Sequence, residues 1–123
     1  MIIVPQFLLR RLYVKSSLRN NDQGFQFELK NSLGSGYGKE LLPLTLDGQE
    51  VPRKDSYFIL GAEKIPFSNV SEDNPFTLSM NKKATIMVDG ITLTEGPHKI
   101  RFSFVVQGLG KLFFEVTDLI SAG

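Results

Sequence analysis

Strict alternation of apolar and polar residues is the feature that most narrows what this chain can fold into. In Gly24-Phe25-Gln26-Phe27-Glu28-Leu29-Lys30-Asn31, the residues Phe25, Phe27 and Leu29 fall on one face and Gln26, Glu28 and Lys30 on the other. Side chains alternate across a strand with period two, so such a segment reads as a strand with one buried face. Leu12–Leu18 alternates less cleanly, and the turn residues Arg19-Asn20-Asn21-Asp22-Gln23-Gly24 join the two runs as a hairpin. Leu42, Leu44 and Leu46 lead into Asp47-Gly48, a dipeptide suited to the two positive φ angles of a tight hairpin turn, and Val51 resumes beyond it. Ala84, Ile86 and Val88 reach a second such dipeptide, Asp89-Gly90, with Ile91 and Leu93 after it. Tyr57–Leu60 reads as a short strand, and Phe76, Leu78 and Met80 alternate again. The longest set, His98, Ile100, Phe102, Phe104 and Val106, turns at Gly108-Leu109-Gly110 and returns as Leu112, Phe114 and Val116.

No apolar spacing of three and four persists long enough for a substantial helix, and Ser71-Glu72-Asp73-Asn74 before Pro75 allows at most a single turn. About eight short strands divided by Gly, Pro and Asp-Gly predict an all-β fold, an antiparallel β-sandwich of immunoglobulin-like or jelly-roll topology. Period two also fits a small barrel. The length of 123 residues suits one domain over residues 1–123, large enough to do without disulfide or metal staples.

Composition closes several functional routes. Fourteen basic and 13 acidic residues leave a formal charge of +1, too little for a general nucleic-acid or anionic-membrane footprint. Cysteine is absent, which excludes a thiolate nucleophile and a thiolate zinc site. The apolar start, Met1-Ile2-Ile3-Val4-Pro5-Gln6-Phe7-Leu8-Leu9, precedes its basic pair Arg10-Arg11 and is split by Pro5-Gln6, so it does not read as a signal peptide. No apolar run approaches the roughly 20 residues of a membrane span. A cytoplasmic location is therefore expected. The N-terminal stretch itself reads either as an edge segment packed on its own core or as an apolar surface reserved for a partner.

Few residues could carry chemistry. His98 is the sole histidine, and it shares the parity of the core-facing Ile100 and Phe102. There an imidazole can bond a neighbouring loop and pin a corner of the sandwich, a structural role preferred to general-base catalysis. Carboxylates lie mostly in turns or at outward strand positions, and no metal-ligand spacing is present. Gly34-Ser35-Gly36-Tyr37-Gly38-Lys39 looks like a phosphate cradle but lacks the P-loop spacing, and what remains is a mobile loop with an aromatic tip. Arg101–Val105 faintly echoes an RNA-binding strand, but its phenylalanines have core parity.

Read together, Leu18-Arg19-Asn20, Gly24–Asn31, Leu46-Asp47-Gly48 with Val51-Pro52, Gly96-Pro97-His98-Lys99-Ile100 and Val116-Thr117-Asp118 resemble the small (β) subunit of bacterial C-glycoside deglycosidases. The resemblance implies a lyase complex in which a large TIM-barrel-like α subunit binds a manganese-like divalent metal. That subunit would also hold the substrate, a 3-oxo C-glycoside of a flavonoid-type polyphenol. This chain would then be an auxiliary, site-shaping subunit with no catalytic residue, cofactor or metal of its own, and with no nucleic-acid or membrane partner. Ile3, Phe7, Leu8, Tyr37 and Leu41 are the candidate partner contacts. Two other readings stay open: an independent carbohydrate-binding or protein-interaction module, and a stand-alone hydrolase or lyase using His98.

Overall fold

The computed structural model describes residues 4–34 and 37–121 of the chain. Among the described residues, eleven strands, β1 to β11, form two antiparallel sheets. The first has the order β1-β2-β9-β6-β7, with β1 at Arg19–Asn20, β2 at Gly24–Lys30, β6 at Ser56–Leu60, β7 at Glu63–Pro66 and β9 at Lys83–Asp89. In the second, the eleven-residue β10 (Gly96–Val106) is central. One side of it pairs along its length with β11 (Gly110–Ile120). The other carries β4 (Thr45–Leu46), extended by β5 (Gln49–Glu50), and β3 (Tyr37–Leu41), extended by β8 (Phe76–Thr77). The β-sandwich class is as the alternation requires, with eleven strands rather than eight because five contain two or four residues.

Register explains the core. Ile100 stands opposite Val116, Phe102 opposite Phe114, and Phe104 opposite Leu112, which sets these six apolar residues on one face, while Val105 and Phe113 fall on the other. Phe25, Phe27 and Leu29 of β2 meet Val88, Ile86 and Ala84 of β9 in the same way. Aromatic rings fill the space between the sheets. Phe102 stacks on Phe114 at 5.7 Å between centroids and meets Phe67 edge-on at 6.2 Å. Gly24 opens β2 where a Cβ atom would come within 1.9 Å of the Val88 carbonyl oxygen, so no side chain fits there.

One expected turn holds and two expectations change. Asp47 and Gly48, with φ of 50° and 87°, do make the tight hairpin turn between β4 and β5. Asp89 and Gly90 do not: residues 91–95 leave the first sheet and cross to the second, so Ile91 and Leu93 pack in a crossover rather than in a returning strand. Ser71–Asn74 closes an isolated bridge instead of a helical turn. The only α-helix among the described residues is a single turn, α1 (Gln6–Leu9), followed by a 3-10 turn at Arg10–Leu12.

That N-terminal segment closes a flank between the sheets. Tyr13 bridges to Leu29 of β2, and its ring lies 5.5 Å from Phe27 and 6.4 Å from Phe114. Gln6 Oε1 accepts the backbone N–H of Glu115 at 3.1 Å, while Arg10 Nε donates to the carbonyl of the same residue at 3.1 Å. The outward backbone pair at the middle of edge strand β11 is thereby occupied.

Candidate functional site

The two ends of the sandwich differ in chemistry. At one end, where β10 begins and β11 finishes, polar side chains fasten loops to strands. His98 is buried at the start of β10, with Nδ1 2.7 Å from Asp47 Oδ2 and Nε2 2.7 Å from the Thr94 carbonyl oxygen. A carbonyl and an ionised carboxylate only accept, so both ring nitrogens donate and the ring is an imidazolium. The Asp47 bond, and then the Thr94 carbonyl, hold the His98 pKa above its ordinary 6.5. Asp47 Oδ1 accepts the Lys99 N–H at 2.8 Å, and this bond, followed by that to His98, holds the carboxyl below its ordinary value.

Two further fasteners sit nearby. Asn20 mimics a strand neighbour for buried Leu93, donating to its carbonyl at 2.9 Å and accepting its N–H at 2.8 Å. Asp118 Oδ2 accepts from the Tyr13 hydroxyl at 2.6 Å and from the Leu18 N–H at 3.2 Å. Burial, reinforced by that carboxylate, pushes the Tyr13 phenol well above its usual range, so it stays neutral.

The opposite end is open. A cleft of about 380 Å³ enters between the sheets. Its floor is Leu29, Phe102, Phe104 and Leu112, and α1 with Leu12 forms one wall. The lining is apolar except for Asn31. Asn31 spends its amide on the surrounding backbone: Nδ2 donates to the Gly34 and Leu78 carbonyls at 2.5 and 2.6 Å, and Oδ1 accepts from Leu33 and Gly34 N–H at 3.1 and 3.2 Å. The register of β3 against β10 slips between Val105 and Val106 at the mouth of this cleft, as a bulge does where a sheet must bend away. Among the described residues, no group of three or more His, Asp or Glu side chains could hold a metal ion.

The sequence candidates separate accordingly. Leu8 lines the cleft, and Phe7, one residue earlier, is 64% exposed. Leu41 is fully buried in the core opposite Phe104, so its side chain is not available to any partner. Tyr37 opens strand β3 opposite Thr77, and Gly38 and Lys39 continue that strand rather than the loop expected there. Ile3 lies outside the described residues. Asn31, Leu33, Phe104 and Leu109 were not singled out by sequence. Their periodicity assigns them to strands and turns and carries no signal that four separated segments meet around one opening.

Fold and cleft together define a small β-sandwich domain that is latched at one end and apolar and open at the other. The family model described as "Hydroxymethylglutaryl-CoA reductase, N-terminal domain" matches residues 8–121. The chain belongs to that family. No curated relative matches it. The match overturns the resemblance to C-glycoside deglycosidase small subunits, and with it the lyase role, the TIM-barrel-like partner and the 3-oxo C-glycoside substrate. The independent carbohydrate-binding or interaction module gives way to the same assignment. There is a physical reason for the false likeness. Asn20, Asn31, Asp47, His98 and Asp118, the most distinctive polar residues of the quoted segments, all bond backbone or fastening partners within the fold. They describe how a sandwich is tied together and say little about what it acts on.

Among the described residues, no helix is long and apolar enough to cross a membrane.

Proposed function

We propose that this chain is a non-catalytic domain of a hydroxymethylglutaryl-CoA reductase-type protein, lending shape and an apolar surface while hydride transfer is carried out by another part of the enzyme. Family membership over residues 8–121 is the observation that carries this reading. Reduction of a thioester requires a hydride donor and an acid that can release a proton to the product oxygen or sulfur. Both nitrogens of His98 are tied to Asp47 and Thr94, and the Tyr13 hydroxyl is tied to Asp118. Neither group is free to serve as that acid. The chain brings no cofactor of its own to this role. A cytoplasmic setting belongs to the same proposal, because a chain with no cysteine needs no oxidising compartment to fold.

The test is to supply the purified chain with hydroxymethylglutaryl-CoA and reduced nicotinamide cofactor and follow the nicotinamide absorbance. The chain alone should consume none. Deleting residues 8–121 from the whole reductase should lower its thermal stability or its activity. Thioester-dependent turnover by the isolated chain at an enzyme-like rate would refute the proposal.

A further inference from the structure

The two Asp-Gly dipeptides share one chemical weakness and are protected against it by opposite means. In any such pair the glycine nitrogen can attack the aspartate Cγ, because no side chain on the glycine obstructs the approach. Ring closure to a succinimide forms the N–Cγ bond and expels one water. Hydrolysis at the α-carbonyl adds one water back, breaks the original peptide bond and leaves an isoaspartate, whose main chain runs through Cβ and Cγ. The reaction needs a free nitrogen and a carboxyl group able to turn over it. At Asp89-Gly90 the nucleophile is tied, since the Gly90 N–H donates to the Gln23 carbonyl at 2.8 Å. Asp89 itself is half-buried at the end of β9, with Oδ2 3.8 Å from Lys64 Nζ. At Asp47-Gly48 both residues are exposed at the tip of the β4–β5 hairpin, and among the described residues no hydrogen bond restrains the Gly48 N–H. There the electrophile is tied instead. Oδ2 lies 2.7 Å from His98 Nδ1 and Oδ1 accepts the Lys99 N–H at 2.8 Å, so both oxygens hold Cγ against β10.

We propose that Asp47-Gly48 is a site of isoaspartate formation, and that His98 sets its rate by pinning the Asp47 carboxylate away from the Gly48 nitrogen. His98 is here a positioning residue: it takes no part in ring closure and acts only on where Cγ can go. The product cannot rebuild the latch. In an isoaspartate the carboxylate sits directly on Cα, one bond shorter in reach, while the main chain of a two-residue turn gains a methylene. One short carboxylate cannot then meet both the His98 ring and the Lys99 amide. Conversion therefore runs one way, and it releases the β4–β5 turn from β10 without cutting the chain.

Incubation of the full chain for weeks at about pH 6, where the Asp47 carboxylate and the His98 ring are both charged, tests this. Isoaspartate is counted at each dipeptide by peptide mapping and by enzymatic methylation of the isoaspartyl carboxylate. The folded, unaltered chain should accumulate it at residue 47 ahead of residue 89. It should do so far more slowly than the urea-denatured chain, in which the two dipeptides convert at similar rates. His98→Gln should speed conversion at residue 47 about tenfold, the weight of one charge-assisted hydrogen bond, and leave residue 89 unchanged. Conversion at residue 89 ahead of residue 47 in the folded, unaltered chain would overturn the proposal. So would an unchanged rate at residue 47 in folded His98→Gln, or a rate there in the unaltered chain equal to that of the denatured one. If His98→Gln fails to fold, residue 89 accelerates with residue 47, and the order of the two sites within the unaltered chain decides.

Discussion

The end of the sandwich where β10 begins and the end where it finishes are built from the same two sheets but held in different ways. At the first, three polar side chains are spent on backbone groups: Asn20 on Leu93, Asp47 on Lys99, His98 on Thr94. At the second, hydrophobic surface is left uncovered around a cleft whose single polar lining residue is turned to its own loop. Stability and availability for binding are thus assigned to opposite poles. A domain of this size can sustain an open end because the other is tied by bonds whose loss would strand buried donors and acceptors.

The contrast is tested most severely at Gly24, on the fastened side. Gly24→Ala forces a methyl group onto the Val88 carbonyl and should cost on the order of 3 kcal/mol or more, read as loss of the cooperative unfolding transition in circular dichroism. An unchanged transition would mean that β2 and β9 separate there freely. Next in size is a paired comparison. Asn20→Ala leaves the buried Leu93 N–H and carbonyl unpaired and should cost about 2 kcal/mol, whereas Leu109→Ser at the cleft rim should stay within about 0.5 kcal/mol. Chemical denaturation that found the two equal would erase the distinction between the poles.

The smallest effect is expected from pH. His98 has a raised pKa in the folded state, so its contribution is complete below the unfolded value of 6.5 and fades as pH rises through the higher folded value. Asp47 has a lowered one, so its contribution is complete above 3.8 and fades as pH falls through the lower folded value. The latch should be strongest between about pH 4 and 6.5. The difference in Tm between the unaltered protein and His98→Gln should shrink as pH is raised from that window toward 9. A difference that grows with pH would show that the ring is neutral and that a different tautomeric arrangement holds the turn.

Much of the fold could be read from residues alone, and the boundary of what could be read has physical causes. Alternation located β2, β9, β10 and β11, and the core face of each, because burial on one side of a strand imposes period two directly. It missed β7, where Glu63 and Lys64 are exposed on an edge strand and leave no apolar rhythm. It also missed α1, which has no side-chain cap and only four residues. Asp89-Gly90 could not be told from Asp47-Gly48, since the same dipeptide serves a hairpin in one place and a change of sheet in the other. The cleft was less legible still. Val4, Leu33, Leu78 and Leu109 come together only through the pairing of distant strands.

One small contact has a consequence beyond its modest energy. Strand β11 offers eleven residues of edge, and the side chains of Gln6 and Arg10 occupy its central outward amide and carbonyl. A shortened chain beginning after Arg10 would lose the buried Leu9 together with this cover, leaving a long template to which identical molecules could add strand by strand. The middle of this edge is therefore guarded by two side chains that contribute nothing to the core.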